Sequence, residues 1–380
     1  MTHTCLVCAR AAFHEITPPP DLGGISSDIK PYPRSFPLLI CQHCGHVQKR
    51  LDDEWQRLAN DIYAGYQIYH LSDGAEQVVF QDGASQARSA RVLATFASLV
   101  DLPQRGKLLD AGCGNGVLLR SFNQMYPDWM LFGQEINASF RETVEQIPGV
   151  QAFYAGSIDA IPERFDLISL LHVLEHVPEP LSFLRTLAGN LMEGGLLLIQ
   201  VPDFRDNPYD LLVADHSSHF SPGSLTALAM GAGFEIVSPA EHWIPKEISL
   251  LLRPKRAVQG TEPVDWEVVK NGVAARLTWL AAIRDHARQL ASEGSFGIFG
   301  TATGGTWLAG VLGDDLDFFV DEDTLKAGKK HLGRPVFLPD EAPPGSMVYL
   351  ALSPVIARKV CTRLQEAHPA LRFVLPPDMA

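Results

Sequence analysis

The chain has 380 residues, of which 46% are apolar, and its 31 basic and 44 acidic residues give a net charge of −13. This length predicts two or three domains, each with a sizeable core. An acidic chain without basic runs is a poor partner for nucleic acid, and no apolar run approaches the roughly 18 residues of a membrane span. We therefore predict neither a nucleic-acid nor a membrane partner.

The N-terminal residues 1–50 are rich in proline, glycine and cysteine and poor in core residues. The first ten residues lack the apolar core of a signal peptide, which predicts a cytoplasmic location. In that compartment, paired cysteines indicate a metal or redox site rather than a disulfide framework.

Two Cys-x-x-Cys pairs lie in this segment, and they consist of Cys5, Cys8, Cys41 and Cys44. Four thiolates at short range suit tetrahedral zinc. A segment with a small hydrophobic core needs such a cross-link to be stable. We therefore predict a structural Zn²⁺ module over residues 1–50. His3, His43 and His46 are alternative ligands if one of the cysteines is not used.

Residues 51–105 predict a helical connecting segment at the substrate cleft, with an amphipathic helix over Gln86–Val100. Tyrosines precede that helix at Tyr63, Tyr66 and Tyr69. They suit either core packing or a role at a ligand.

Strands and helices alternate over residues 106–256, which predicts an α/β fold with a doubly wound parallel sheet. The predicted strands are Lys107–Asp110, Trp129–Gln134, Phe165–Leu171, Leu196–Val201 and Phe234–Val237. Helices are predicted over Val117–Tyr126, after Pro178 and over Ser224–Met230.

The last third of the chain predicts a bridging helix within residues 257–293 and a second, Rossmann-like α/β domain over residues 294–380. Phe296–Phe299 is a predicted strand, and a glycine-rich turn over residues 300–305 leads into a helix. Further strands are predicted at Asp317–Val320 and Val348–Leu352.

The clearest chemical motif follows the first strand of the central domain, where the pattern Asp-x-Gly-x-Gly-x-Gly is formed by Asp110, Gly112, Gly114 and Gly116. Such glycines let the backbone approach a ligand, and the following helix offers unpaired N–H groups. Glu135 ends the next strand at a spacing suited to a ribose diol. Enzymes that bind NAD share this fingerprint, so alone it does not name the cofactor.

The later segments Phe165–His176 and Glu193–Pro202 complete a set of four motifs that resembles the class I methyltransferases, which use S-adenosylmethionine. The resemblance implies that the glycine loop contacts the methionine part and Glu135 the ribose hydroxyls. It also implies that Ser157 and Ile158 border the adenine, with Asp159 as an alternative polar contact. His172 either lines the methionine pocket or packs beneath it.

The whole chain further resembles a narrower family, the sugar C-methyltransferases of deoxysugar biosynthesis. The segments that carry this resemblance are Pro37–Gln48, Tyr69–Ser72, Asp215–Ser221 and Gly297–Gly305. The resemblance implies a small-molecule substrate, a nucleotide-linked 4-keto sugar, which is deprotonated to an enolate and then methylated at carbon. The sequence does not set the oligomeric state, and a monomer is compatible with it.

Carried over residue by residue, the family's catalytic groups fall on Tyr69, His176, Asp215 and His216. We expect His216 to be the base, oriented by Asp215, with Tyr69 and His176 at the ketone oxygen. In the glycine-rich turn over residues 300–305, Gly304 occupies the position at which the family has lysine. We therefore expect this turn to have a structural role and not to bind a nucleotide.

Several alternatives remain open from the sequence. His216 and His219 could be a packed, hydrogen-bonded pair, and the enzyme could methylate oxygen or nitrogen of a sugar, glycan or natural product. A scaffold with a relict fold is disfavoured by the intact glycine loop. An RNA methyltransferase is disfavoured by the acidic charge.

Overall fold

The computed structural model describes residues 3–66, 76, 78–81, 84–255 and 264–379. The N-terminal segment forms short strands, namely β1 (Phe13–Ile16), β2 (Gly24–Ile25), β3 (Pro31–Tyr32), β4 (Leu38–Cys41) and β5 (Val47–Lys49). β1, β4 and β5 make an antiparallel sheet, and β2 and β3 make a separate hairpin. Strands of two to four residues carry too little alternation to be visible in the sequence.

The next segment contains α1 (Asp53–Ala64), β6 (Val78–Gln81), β7 (Ala84–Ala87) and α2 (Arg88–Leu99). Asp52 caps α1 by accepting hydrogen bonds from the backbone N–H groups of Glu54 and Trp55. The predicted helix over Gln86–Val100 is observed as α2. The hairpin of β6 and β7 was not predicted, since the run Ala84–Ala87 contains no residue typical of strands.

The central domain is built from strands and helices in alternation. In chain order these are β8 (Lys107–Ala111), α3 (Val117–Met125), β9 (Met130–Glu135), α4 (Arg141–Glu145), β10 (Val150–Ala155), β11 (Phe165–Leu171), α5 (Pro180–Gly189), β12 (Leu191–Pro202), β13 (Ser218–His219), α6 (Pro222–Gly231), β14 (Phe234–Glu241) and β15 (Glu247–Pro254). Seven of these strands form one sheet in the order β10-β9-β8-β11-β12-β15-β14. The neighbours from β10 to β12 are parallel, and β15 runs antiparallel to both β12 and β14. The predicted doubly wound α/β sheet is confirmed.

The strand order reverses between β8 and β11, since the chain steps outwards from β8 to β10 and then returns to the other side of β8. Parallel sheets bind ligands outside the carboxyl ends of the strands at such a switch point. The glycine loop after β8, Glu135 at the end of β9 and His172 after β11 all lie at this edge.

Two strands of this sheet, β10 and β15, were not predicted from the sequence. β10 lies at the sheet edge and is mostly exposed or half-buried, so it has no continuous apolar run. β15 has a buried run over residues 248–252, but a short apolar run does not distinguish a strand from a buried helix.

β13 does not join the central sheet. Ser218 and His219 pair instead with Gln48 and Val47 of β5, so that the fourth strand of the N-terminal sheet comes from the central domain. His46 reinforces this contact, because its Nε2 lies 3.2 Å from Ser218 Oγ. The cysteine segment is therefore attached to the loop that carries His216 and His219.

The C-terminal part begins with the long helix and continues as a second α/β unit. Its elements are α7 (Trp266–Ala291), β16 (Phe296–Phe299), α8 (Thr303–Leu312), β17 (Phe318–Val320), β18 (Lys330–His331), β19 (Arg334–Phe337), β20 (Met347–Leu350), α9 (Pro354–Ala367) and β21 (Arg372–Val374). The sheet order is β18-β19-β17-β16-β20-β21, with β18 antiparallel to β19 and the other neighbours parallel.

The N-terminal strands contribute to two cores. Leu22, Ile25, Leu38 and others pack with α7 and the C-terminal sheet, whereas Cys5 and Val7 pack with the central sheet. Trp307 of α8 donates its indole N–H to the carbonyl of Leu22 at 2.7 Å. The division into five segments drawn from the sequence stays a prediction.

Among the helices of the described ranges, none is both long and apolar enough to cross a membrane.

The glycine turn of the C-terminal unit is closely packed. A Cβ atom at Gly304 would lie 2.4 Å from the carbonyl oxygen of Ala351 and 3.0 Å from the Tyr209 ring. No side chain fits there without movement of the backbone, which explains in physical terms why a lysine is not accommodated at this turn.

We predict that Gly304→Ala lowers the free energy of unfolding by about 1–3 kcal/mol, the usual cost of overpacking. Denaturant titration followed by circular dichroism measures it. Gly294→Ala is the matched control, because a Cβ atom there would meet no atom within 4 Å. Equal stability of the two variants would contradict the packing described here.

Candidate active site

The glycine loop after β8 depends on backbone angles that favour glycine. Gly112, Gly114 and Gly116 have φ angles of +71°, +50° and +79°. At Gly112 a Cβ atom would also lie 2.3 Å from Val173 Cγ2. The loop is therefore held against the residues after β11, and its backbone is open to a ligand at the carboxyl edge of the sheet.

Glu135 lies directly against this loop. Its Oε2 accepts a hydrogen bond from the backbone N–H of Gly114 at 3.0 Å, and its Oε1 accepts from Ile136 N–H at 2.8 Å. Each carboxylate oxygen keeps a further lone pair. A half-buried carboxylate held in this way can accept hydrogen bonds from a pair of ligand hydroxyls.

Asp110 is buried beneath the loop rather than open to a ligand. It is 4% exposed, and its Oδ1 accepts a 2.7 Å hydrogen bond from Ser169 Oγ. Burial raises the pKa of Asp110 to about 7, against the opposing effect of the Ser169 hydrogen bond. Asp110 therefore supports the loop from within the protein.

The residues predicted at the adenine lie after β10. Ser157 and Asp159 are exposed and bond to each other, with Ser157 Oγ donating to Asp159 Oδ2 at 2.8 Å. Thr186 Oγ1 donates to the other Asp159 oxygen at 3.0 Å. Ile158 is 4% exposed and belongs to the core of the central domain. Of the three, Ser157 and Asp159 present polar atoms to solvent.

His172 follows β11 in a left-handed conformation with φ of +56°, which is uncommon for a residue with a side chain. Its ring lies between two acids, since Nδ1 is 3.2 Å from Glu175 Oε1 and Nε2 is 3.3 Å from Glu247 Oε2. Arg88 Nε donates to the same Glu247 oxygen at 3.1 Å. Backbone strain and charge together hold this half-buried imidazole beside the glycine loop.

Two histidines predicted to be catalytic lie next to each other. The rings of His176 and His216 meet edge to face with their centroids 4.6 Å apart. The Tyr63 ring also meets His176 edge to face, with the centroids 5.9 Å apart. One ligand nitrogen of each histidine and one carboxylate oxygen of Glu175 lie within 4.8 Å of one another. The structure thus brings together residues from α1, the turn after β11 and the loop before β13.

The carboxylate partner of His216 differs from the prediction. Asp215 was expected to orient His216, but its Oδ2 lies 3.3 Å from His176 Nδ1, and its Oδ1 accepts from Ser27 N–H at 2.9 Å. His216 Nδ1 instead lies 2.7 Å from Asp210 Oδ1. Adjacent side chains leave this turn in different directions, so consecutive residues reach different partners. Spacing alone could not reveal this.

Burial and nearby charges act in opposite directions on the pKa values of Asp215 and His176. Burial would raise the pKa of Asp215, but its hydrogen bond to His176 and the nearby histidine charges hold that pKa below its usual range. Burial would lower the pKa of His176, but the hydrogen bond and charge of Asp215 and the charge of Glu175 raise it. The Asp215 carboxylate, 3.3 Å from Nδ1, therefore favours the charged form of His176.

Two residues that contribute to the site, Ser27 and Tyr63, were not singled out in the sequence. Ser27 donates both its backbone N–H and its hydroxyl to Asp215, yet it lies in an N-terminal segment without any catalytic motif. Tyr63 is one of the three tyrosines for which the sequence leaves packing and a ligand role open, and its hydroxyl is buried without a hydrogen-bond partner within the described ranges. Burial raises the pKa of this hydroxyl. Tyr69, the predicted catalytic tyrosine, lies outside the described residues.

The four N-terminal cysteines converge. Cys5 Sγ lies 3.5 Å from Cys44 Sγ, Cys8 Sγ lies 3.5 Å from Cys41 Sγ, and all four sulfurs are within 4.8 Å of one another. A zinc ion with bonds of about 2.3 Å would set its sulfurs about 3.8 Å apart. The donor set and its spacing therefore fit one tetrahedral metal ion.

Comparison with known proteins supports the central domain. Residues 84–239 match the model of a family described as a methyltransferase domain. The chain is 34% identical over 95 residues to the ubiquinone biosynthesis O-methyltransferase of Aliivibrio fischeri, which covers 23% of this chain and 41% of that protein. It is 30% identical over 145 residues to the trans-aconitate 2-methyltransferase of Rhodopseudomonas palustris, covering 37% of this chain and 54% of that protein. The chain thus spans about half the length of these relatives.

A longer match is found with the ribosomal RNA small subunit methyltransferase C of Pseudomonas syringae pv. syringae. The identity is 31% over 232 residues, which cover 57% of this chain and 67% of that protein. Together with the strand order and the glycine loop, these matches show that the chain belongs to the class I S-adenosylmethionine-dependent methyltransferases.

Proposed function

We propose that this enzyme methylates a carbon next to a ketone, in a nucleotide-linked 4-keto deoxysugar. The observation that carries the proposal is the pair of adjacent imidazoles, His176 and His216, each held by its own buried carboxylate. Methyl transfer to carbon needs both a base for the C–H proton and a donor for the ketone oxygen. Two histidines in different protonation states supply both.

His216 is the base in this mechanism. Its Nε2 takes the proton from the carbon beside the carbonyl, and the electron pair of that C–H bond moves onto the carbonyl oxygen. The side chain is 7% exposed, so little water competes for the proton. The enolate formed in this way carries the nucleophilic carbon.

His176 stabilises the oxygen. Because Asp215 and Glu175 raise the pKa of His176, its imidazolium form persists to higher pH than that of an ordinary histidine. A buried cation beside the developing oxyanion is worth more than the same cation in water. Tyr69 is proposed to assist at the same oxygen, and Tyr63 packs on the His176 ring.

S-adenosylmethionine, when bound, supplies an electrophilic methyl group to the carbon nucleophile. The residues at the carboxyl edge fit this group: the glycine loop offers an open backbone, and the oxygens of Glu135 keep lone pairs for ribose hydroxyls. Ser157 and Ile158 are proposed at the adenine, and His172 at the methionine part. Asp110 supports the loop that would hold the group.

A cleft near the Ser27–Asp215 contact is proposed to hold the nucleotide part of the substrate. It has a volume of about 550 Å³ and lies between the β2–β3 hairpin and α1. Its wall includes Ser26, whose neighbour Ser27 bonds to Asp215, and it carries three cations and three acids, namely Lys30, Arg34, Arg57, Asp28, Glu54 and Asp61. Lys30 pairs with Asp28 and Arg34 with Glu54, so a diphosphate would have to displace these acids to bind the cations.

The main alternative is transfer to oxygen. The ubiquinone biosynthesis O-methyltransferase named above transfers a methyl group to oxygen according to its name. For that reaction one base suffices, and no group is needed at a ketone oxygen. The paired histidines favour carbon.

For the four cysteines we propose a structural zinc ion. A site closed by four thiolates leaves no open position for catalysis, and its function is to hold the N-terminal segment. Cys5, Cys41 and Cys44 are buried, so the ion would be shielded from solvent.

The proposed reaction predicts methyl gain on a ring carbon. Incubation with S-adenosylmethionine and nucleotide-linked 4-keto deoxysugars in D2O, followed by mass spectrometry, measures it. Without the methyl donor, deuterium is expected to enter the carbon next to the ketone. His216→Asn should lower the rate of this deuterium exchange by at least about a hundredfold. His286→Asn, in the C-terminal unit, is the control. Methyl gain on oxygen would overturn the proposal.

We predict that Asp215→Asn moves the alkaline limb of the pH–rate profile to lower pH. Activity falls as pH rises through the pKa of His176, because the neutral ring no longer donates as a cation. Without the Asp215 charge that pKa falls, so activity is lost earlier, and kcat at neutral pH drops by about tenfold or more. The exposed Asp285→Asn is the control. An unchanged alkaline limb would contradict the role of Asp215.

We predict one zinc ion per chain, measured by elemental analysis of the purified protein. Cys41→Ser should lose the ion and lower the unfolding temperature, since three thiolates hold zinc less well than four. Cys361→Ser, which changes a half-buried cysteine on α9, should keep the zinc ion and the wild-type unfolding temperature. Full metal content in Cys41→Ser would rule out the four-cysteine site.

A further inference from the structure

We propose that Asp210 is the positioning residue that fixes the tautomer and orientation of His216. The inference rests on the proposed function, in which Nε2 of His216 is the base. Asp210 belongs to none of the motifs described above. It lies in a one-turn 3-10 helix over Pro208–Leu212, six residues before the histidine.

The geometry is that of one carboxylate shared by two imidazoles. Asp210 is 2% exposed, its Oδ1 lies 2.7 Å from His216 Nδ1, and its Oδ2 lies 2.7 Å from His219 Nδ1. An ionised carboxylate only accepts hydrogen bonds. Each Nδ1 must therefore carry a hydrogen, which leaves the lone pair of a neutral His216 on Nε2.

The same arrangement leaves Nε2 of His216 available. This atom makes no hydrogen bond to any residue in the part of the chain that the structure describes. Its ring faces His176 at 4.6 Å. Asp210 thus stands behind the imidazole, on the side away from the atom that would take the proton, which is the geometry of a carboxylate that orients a general base.

Asp210 stays ionised because of its neighbours. Burial would raise its pKa, but electrostatic attraction to the His219 and His216 rings and the hydrogen bonds from both rings lower it. Lys49 adds a nearby positive charge, and its ammonium donates to the carbonyls of Leu211 and Val213, each at 3.1 Å. Leu211 lies in the same turn as Asp210 and Val213 directly follows that turn, so Lys49 also fixes the backbone that carries the carboxylate.

His219 holds Asp210 without competing for the reaction. It is fully buried, and burial lowers its pKa to about 4, so the ring is neutral at physiological pH. A neutral ring donating to Oδ2 prevents rotation of the carboxylate and leaves Oδ1 for His216. Two histidines bound to one acid therefore have different roles: one anchors it, and the other is oriented by it.

The first test needs no substrate. In ¹⁵N NMR spectra of the protein with labelled histidine, His216 should carry its hydrogen on Nδ1. In Asp210→Asn, where the amide nitrogen can face the ring as a donor, the hydrogen should move to Nε2. A wild-type His216 protonated on Nε2 when neutral would overturn the inference, whatever the enzyme's substrate is.

The second test uses activity. Asp210→Asn should lower kcat by about 10²–10⁴-fold, in the range of the corresponding change in a serine protease triad, with KM changed less than threefold. Asp210→Glu keeps the charge and should recover at least tenfold of that loss. The pH profile is compared in the same set, since Glu175, His176, Asp215, His219 and Lys49 also titrate around His216.

The outcomes separate the two proposals. An active His216→Asn would remove His216 as the base and so overturn the proposed mechanism, while the NMR spectra still decide the tautomer. Full kcat in Asp210→Asn together with an inactive His216→Asn would overturn the positioning role alone. If Asp210→Asn fails to fold, the ¹⁵N spectrum of the wild-type protein decides: a neutral His216 with its hydrogen on Nδ1 supports the role, and one with its hydrogen on Nε2 rejects it.

Discussion

Two buried carboxylates, Asp210 and Asp215, are the constraint on which the active site depends. A carboxylate removed from water is costly unless it gains partners. Asp215 gains them from distant parts of the chain, and Asp210 gains them from the loop that follows it. Asp215 takes Ser27 from the N-terminal hairpin and His176 from the turn after β11. Asp210 takes both histidines of the following loop. The requirement to pair these charges therefore fixes where the N-terminal segment, the central sheet and the 208–219 loop must meet.

The same pairing gives the two candidate catalytic histidines different electrostatic environments. Although their rings touch, His176 lies against Asp215 and Glu175, whereas His216 lies against an acid already shared with His219. Different carboxylate environments are how a protein gives an acid and a base role to two side chains of one type. An arrangement of this kind suits enolate chemistry better than a simple transfer to a hydroxyl group.

Local sequence determined what could be predicted. The glycine loop, Glu135 and the strand-helix alternation depend on neighbouring residues, so the central fold and the cofactor edge were visible from motif and periodicity. The partner of His216 was not, because two acids, Asp210 and Asp215, lie within six residues and only the turn decides which one reaches the ring. Ser27 and β13 were invisible for a similar reason, since their partners lie far away along the chain.

The N-terminal sheet has a consequence for biosynthesis. Its fourth strand, β13, follows β12, so the first three strands leave the ribosome long before their last partner exists. Until then β5 has one open edge, and the Lys49 side chain lacks the carbonyls that it later binds. A metal ion bound by the cysteines would hold the early strands together during this interval, and the active-site loop would then close the sheet as the last step. Placement of the 208–219 loop and completion of the N-terminal sheet are thus one folding event.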